Sequence, residues 1–294
     1  MASHSHTPQH SAPLRDLKVG GVHAAHAAAT SPVIVGLMRL GFMIRGLLYG
    51  VIGILALQVA FGTGGSIDDP QGAIVTMGAT PYGHLLLYVI CAGLIGYALW
   101  GVVRALFDPL HKGHDAKGIV SRIGYLVSAV SYGLLAVATY GLINDSASAA
   151  RNGAQTTQTQ QTTASVLAHP LGQVLVGIAA LVVIGVGIGQ LVGALRPGFD
   201  QQFTPYALSA RQRVWLERLG RFGTAARGFV FALIGLFLLL AAYHHDPSQA
   251  QGFGGVLSAL LHQSFGPWLL GIVALGLIAF GIYSAAEGAW LGLG

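Results

Sequence analysis

RLGFMIRGLLYGVIG, residues 39–53, decides the fold, because the chain repeats its pattern three times. RIGYLVSAVSYGLLA at 122–136 and RFGTAARGFVFALIG at 221–235 keep the opening Arg and the Gly two residues later. Each copy then carries small residues at i, i+4 and i+7: Gly46, Gly50 and Gly53; Ala129, Gly133 and Ala136; Gly228, Ala232 and Gly235. Those positions share one face of a helix. In lipid, small residues let helix backbones approach closely. The seam predicts helix packing through Gly46, Gly50, Gly53, Gly133, Gly228 and Gly235. A unit that recurs like this is the mark of a tandem array.

Outward from the seam, the chain is 53% hydrophobic and 9% charged, against about 25% charged in soluble domains. Six apolar runs are long enough to span a membrane. They cover Met38–Phe61, His84–Phe107, Arg122–Ile143, Gln173–Leu195, Thr224–Tyr243 and Pro267–Leu291. The predicted fold is all-α: a polytopic membrane protein with six transmembrane helices as three tandem parallel two-helix repeats. The loop inside each pair leads into its second helix through related segments at Gly72–Gly83, Gln161–Gly172 and Gly255–Gly266. Short interfacial helices are expected there. The second copy is degraded, and its tract Gln155–Thr163 reads as solvated. Second helices match at Gly93 with Gly276, Tyr97 with Phe280 and Ala98 with Gly281, whereas the middle one offers a row at Gly185, Gly189 and Gly193.

This divides the chain into a flexible polar tail (1–32), membrane repeats at 33–110, 118–197 and 217–294, and a cytoplasmic amphipathic connector (198–216). In and beyond the connector, Ser209 is placed to cap a helix over Ala210–Leu219. The tail lacks the apolar core of a signal peptide. The three two-helix repeats, the R-x-G starts and the P-[FY]-G-like entries resemble the bacterial membrane family called domain of unknown function 1206. The resemblance covers about residues 36–290. It implies a six-span bacterial membrane protein and no agreed activity, so it assigns no site residue.

Fourteen of the fifteen Lys and Arg fall in the tail, in the loops between repeats, or at the adjoining helix ends; Arg151 is the exception. The positive-inside rule then places both termini in the cytoplasm of a bacterial plasma membrane. The expected partners are the bilayer and anionic inner-leaflet lipids, with a homo-oligomer or a further membrane protein left open. Nucleic acid is not expected.

Charges inside spans are costly and face the bundle interior or a wet cavity. Arg45 and Arg227 hold one repeat position, where the middle copy has Ser128. Arg104 and Glu287 hold another. These five are the candidate ligand or ion residues, and their alternative role is structural pairing. The twelve histidines sit in the tail, loops and outer ends, with no spacing that closes a metal or haem site. Adjacent Asp68 and Asp69 read as a turn before Pro70. Phosphate-binding and nucleophile-elbow motifs are absent, and the lone Cys91 forms no internal disulfide. No cofactor, metal or enzymatic activity is expected. Three roles stand: a non-catalytic scaffold or accessory membrane protein, a small channel or transporter for an ion or small solute, and a lipid- or cofactor-binding membrane subunit.

Overall fold

The computed structural model describes residues 32–107, 116–144, 155–196 and 209–290. Six long helices, all long and apolar enough to cross a membrane, come in three pairs. They are α1 (Pro32–Ala60) with α3 (Gly83–Phe107), α4 (Ala116–Asn144) with α6 (Gly172–Leu195), and α7 (Ala210–His244) with α9 (Gly266–Trp290). Between the members of each pair lies a short helix: α2 (Pro70–Gly78), α5 (Gln155–Leu167) and α8 (Phe253–Leu261). No strand occurs among the described residues.

Each second helix is entered by the same turn. Gly83, Gly172 and Gly266 donate their N–H to the carbonyls of Thr80, His169 and Gln263 at 2.8, 2.9 and 2.8 Å. A Cβ on any of these glycines would lie within 1.8 Å of a carbonyl oxygen, so only Gly fits. Asp69 caps α2 by accepting the Gly72 N–H at 2.8 Å, with Pro70 at the first helical position, where its missing N–H costs nothing. The Gln155–Thr163 tract is helical, with Gln158, Gln161 and Thr162 exposed. It forms most of α5, whose Thr163 is buried and whose Gln160 bonds the Ser248 carbonyl at 2.9 Å. Ser209 caps its helix with a full capping box to Gln212. That helix does not end at Leu219; it continues unbroken into the span, so the expected connector boundary at 216/217 falls inside α7.

The main packing unit differs from the covalent repeat. The tightest helix pairs are α9 on α1, α6 on α7 and α3 on α4. Each second helix therefore lies against the first helix of the next repeat, and the third repeat closes back onto the first. Related glycines make this contact. A Cβ on Gly46 would be 2.6 Å from the Gly281 carbonyl, and one on Gly281 would be 2.7 Å from that of Gly46. Gly228 and Gly187 repeat the reciprocal contact at 2.8 and 2.7 Å. Higher up, Gly53 meets Ile278 and Ala274, as Gly235 meets Ile184 and Ala180. In the third interface alanines stand at both places. Ala129 meets Gly101, and Ala136 accepts a 3.6 Å contact from the Cys91 thiol. An apolar groove of about 330 Å³ lies between α3 and α4, lined in part by Cys91, Ala98, Gly133 and Tyr140.

Two seam glycines depart from expectation. A Cβ on Gly133 would meet nothing within 4 Å; nor would one on Gly50, whose backbone nevertheless approaches Gly281. The expected row Gly185, Gly189 and Gly193 likewise meets nothing, because Gly187 makes the contact instead.

Within repeats, α1 packs on α3 and α7 on α9, whereas α4 and α6 scarcely touch. Gly41 abuts Tyr97, and Gly93 abuts Ile44. Gly223 abuts Phe280, and Gly276 abuts Ala226. In the middle repeat Gly124, the counterpart of Gly41 and Gly223, faces open space, and Val182, at the position of Gly93 and Gly276, is exposed. The ring of six helices is thus open along one seam.

Candidate functional site

The basic end of the bundle, where α1, α4 and α7 begin, holds a chain of guanidinium groups stacked among aromatic rings. Arg45 lies fifteen residues before the end of α1, about 22 Å of helix at 1.5 Å per residue. That depth is inside a hydrocarbon core about 30 Å thick. Helical side chains lean toward their N-terminus, so Arg45 reaches back to the last turns of α9. There its Nη2 donates to Glu287 Oε2 at 2.5 Å and its Nε donates to Ser284 Oγ at 2.7 Å. Its Nη1 donates to the Tyr97 hydroxyl on α3. Ser284 in turn donates to the Phe42 carbonyl of α1 at 3.0 Å. Arg45 and Glu287 are 7% and 6% exposed, so their pairing offsets the large cost of removing two charges from water.

The Arg45 guanidinium carbon also lies 4.8, 4.9 and 5.1 Å from the ring centres of Phe42, Tyr97 and Phe280. Distances below about 6 Å allow cation–π attraction. Arg227 sits beyond Phe280, 5.1 Å from the same ring and 4.8 Å from Phe231. Its Nε donates to the Tyr49 hydroxyl at 2.9 Å and its Nη1 to Gln190 Oε1 at 3.1 Å. Arg104 shares Phe42 and Tyr97 with Arg45, at 5.8 Å each, and lies 4.5 Å from the centre of Tyr125. Its buried Nε has no hydrogen-bond partner among the described residues. Among the described residues, only Arg45 of these three guanidinium groups pairs with a carboxylate.

The three ring interfaces explain this imbalance. Helix starts at Gly83, Gly172 and Gly266 align Gly101, Gln190 and Ser284 as one position, and Arg104, Gly193 and Glu287 as another. In the α9/α1 interface, Ser284 and Glu287 both serve Arg45. In the α6/α7 interface, Gln190 serves Arg227, and Gly193 stands where the carboxylate would be. In the α3/α4 interface the cation moves to the second helix as Arg104, opposite a first helix that carries half-buried Ser128.

Of the five residues singled out in the sequence, the structure joins Arg45 to Glu287 directly and links Arg104 and Arg227 to Arg45 through shared rings. Tyr97, Ser284 and Gln190 were missed. Gln190 carried a signal, as the one strongly polar side chain in the basic-end half of α6. At the opposite end, His84, His169, His244, His245 and His262 lie apart. No cluster of three metal-ligating residues occurs among the described residues. Asp246, just past α7, has its carboxyl held below the usual carboxylate range by hydrogen bonds from Ser248 and then Gln249. The tail histidines, His111 and His114 lie outside the described residues.

Six apolar helices in three tandem pairs around a shared charged seam define a polytopic membrane protein built from repeats. The family described as Domain of Unknown Function (DUF1206) matches residues 40–108, 123–196 and 222–291, and the chain belongs to it. It is similar to "Uncharacterized protein YxxB" of Bacillus subtilis (strain 168). The two are 35% identical over 259 residues, covering 88% of this chain and 92% of that protein. No solved structure matches.

Proposed function

We propose that this chain is a non-catalytic scaffold or accessory protein of a bacterial plasma membrane, with both termini cytoplasmic. The observation that carries the reading is the use made of Arg45. Its bonds tie α1 to α3 and α9 at once, so the deepest charge network serves to hold helices together. A transport site would leave such groups facing a wet path, whereas Arg45 and Glu287 face each other. The basic end then sits against anionic inner-leaflet headgroups, as the charge asymmetry favours.

The test compares Glu287→Gln with the parent, by melting in mild detergent and by ion flux in proteoliposomes. The scaffold reading expects a large fall in melting temperature and no parental flux to lose. A variant that melts like the parent while abolishing a parental ion flux overturns it. Orientation is tested separately: thiol labelling of a cysteine placed in the tail of intact cells should fail with an impermeant reagent.

A further inference from the structure

We infer that Arg227 binds the headgroup phosphate of an anionic phospholipid, which enters through the open seam between α4 and α6 and occupies the space that Gly193 leaves. The inference goes beyond the scaffold reading and does not depend on it. Its starting point is the comparison of sister interfaces. Where α9 meets α1, Glu287 completes the partners of Arg45 at 2.5 Å. Where α6 meets α7, the neighbouring partner is retained, because Gln190 bonds Arg227 as Ser284 bonds Arg45. The carboxylate is not retained. Gly193 lies three residues beyond Gln190, on the same helix face, and a Cβ there would meet nothing within 4 Å. A cation with two of its nitrogens bonded thus stands beside an open volume that a carboxylate fills in the related interface. Among the described residues Arg227 has no acidic partner, while Arg45 does.

The occupant follows from what borders the space. At the positions that close the first repeat, the second has exposed Ile123, Val127 and Val182. Tyr97 and Trp100 are replaced by Val186 and Gly189, which removes the bulk that would bridge the seam. The slot is therefore apolar along its walls and open sideways, between helices that face lipid. An acyl chain suits the walls, and a phosphate suits a guanidinium, which offers paired donors in a planar fork. Arg227 lies seventeen residues before the end of α7, about 25 Å of helix. It is thus near the basic-end boundary of a roughly 30 Å core, where its side chain reaches headgroup depth.

The experiment uses the full chain, delipidated in mild detergent, and measures the melting shift on titration with phosphatidylglycerol, phosphatidylcholine or inorganic phosphate. Phosphatidylglycerol should stabilise the parent well above the other two. Arg227→Gln should weaken the apparent affinity about tenfold to a hundredfold, the value of one charge-assisted bond. Gly193→Glu supplies the missing carboxylate internally. It should raise the lipid-free melting temperature and lose the phosphatidylglycerol shift, which also keeps the test sharp if Arg227→Gln fails to fold. The surface variant Arg211→Gln should keep the shift. An undiminished shift in Gly193→Glu overturns the proposal. Equal shifts from phosphatidylglycerol and phosphatidylcholine do so too, by removing the charge dependence. Saturation by inorganic phosphate alone would mean a soluble anion in place of a lipid.

Discussion

The middle repeat and its two neighbours share a sequence pattern but not a packing. In the first and third repeats, glycines at one position, Gly41 and Gly223, press against Tyr97 and Phe280. In the middle repeat Gly124 occupies the same position and presses against nothing. The difference is that α6 scarcely touches α4; there Val186 stands in place of the aromatic residue and Ser128 in place of the Arg that stacks on its ring. A glycine in a seam is therefore a close contact only where another helix comes up against it, as the Gly46–Gly281 pair also shows. The lesson extends to charge: Arg45 and Arg227 share a position, yet only Arg45 has a carboxylate, because Glu287 and Gly193 differ.

The largest test of this comparison is Gly41→Leu or Gly223→Leu against Gly124→Leu. At Gly41 the first added carbon already falls 2.7 Å from Tyr97, and at Gly223 it falls 2.3 Å from the Phe280 backbone. Overpacking of 1–3 kcal/mol or more, by order of magnitude, should abolish accumulation of both variants, while Gly124→Leu accumulates and melts like the parent. The same reasoning separates Gly46→Leu, which should fail, from Gly133→Leu, which points into open space.

Next in size are the charges. Breaking the buried pair by Glu287→Gln or Arg45→Gln should cost roughly 3–5 kcal/mol, since the partner is left uncompensated. Arg227→Gln should lower the melting temperature by clearly less, because no carboxylate is stranded. Equal losses would mean that the two arginines hold equivalent environments after all. Smaller again is Ser284→Ala, about 1 kcal/mol for a hydrogen bond, read as a melting shift that Gln190→Ala matches in the sister interface.

The smallest effect lies outside the membrane. The Asp246 carboxyl titrates below its unfolded value. It therefore contributes stability above the unfolded pKa and loses it as pH falls through the folded one. Asp246→Ala should melt slightly below the parent at neutral pH. The gap should close in acid, as checked by melts across the acidic range.

Much of this was readable from residues 39–53 and their two copies. Period, span number, seam face and the capping at Ser209 are local properties, and local spacing encodes them. The identity of each seam's partner is not local. Spacing says that Gly46 and Gly228 share a helix face with Gly53 and Gly235, but not that these faces meet the preceding repeat's second helix around a ring. The Gly185, Gly189 and Gly193 row misled for the same reason, since a row of small residues marks a contact only if a helix is there to meet it. The extension of α7 through 219 was hidden because polar and apolar halves of one helix look like two elements. Arg45 with Glu287 was legible as a pair, because a charge in a span needs a partner. Tyr97 and Ser284 were not, because neither is unusual in an apolar helix.

The central claim is that one repeat of three stays open, and disulfide cross-linking at equivalent positions tests it most directly. In a Cys91→Ser background in native membranes, Ile44→Cys with Gly93→Cys and Ala226→Cys with Gly276→Cys should cross-link under mild oxidation. A Cβ on Gly93 lies 3.0 Å from that of Ile44, and one on Gly276 lies 2.2 Å from that of Ala226. Both are closer than the roughly 3.5–4.5 Å of a disulfide, so each bridge forms with the two helices moved about 1 Å apart. Val127→Cys with Val182→Cys, the middle-repeat counterpart, should stay reduced. Cross-linking of all three pairs to the same extent would contradict the account.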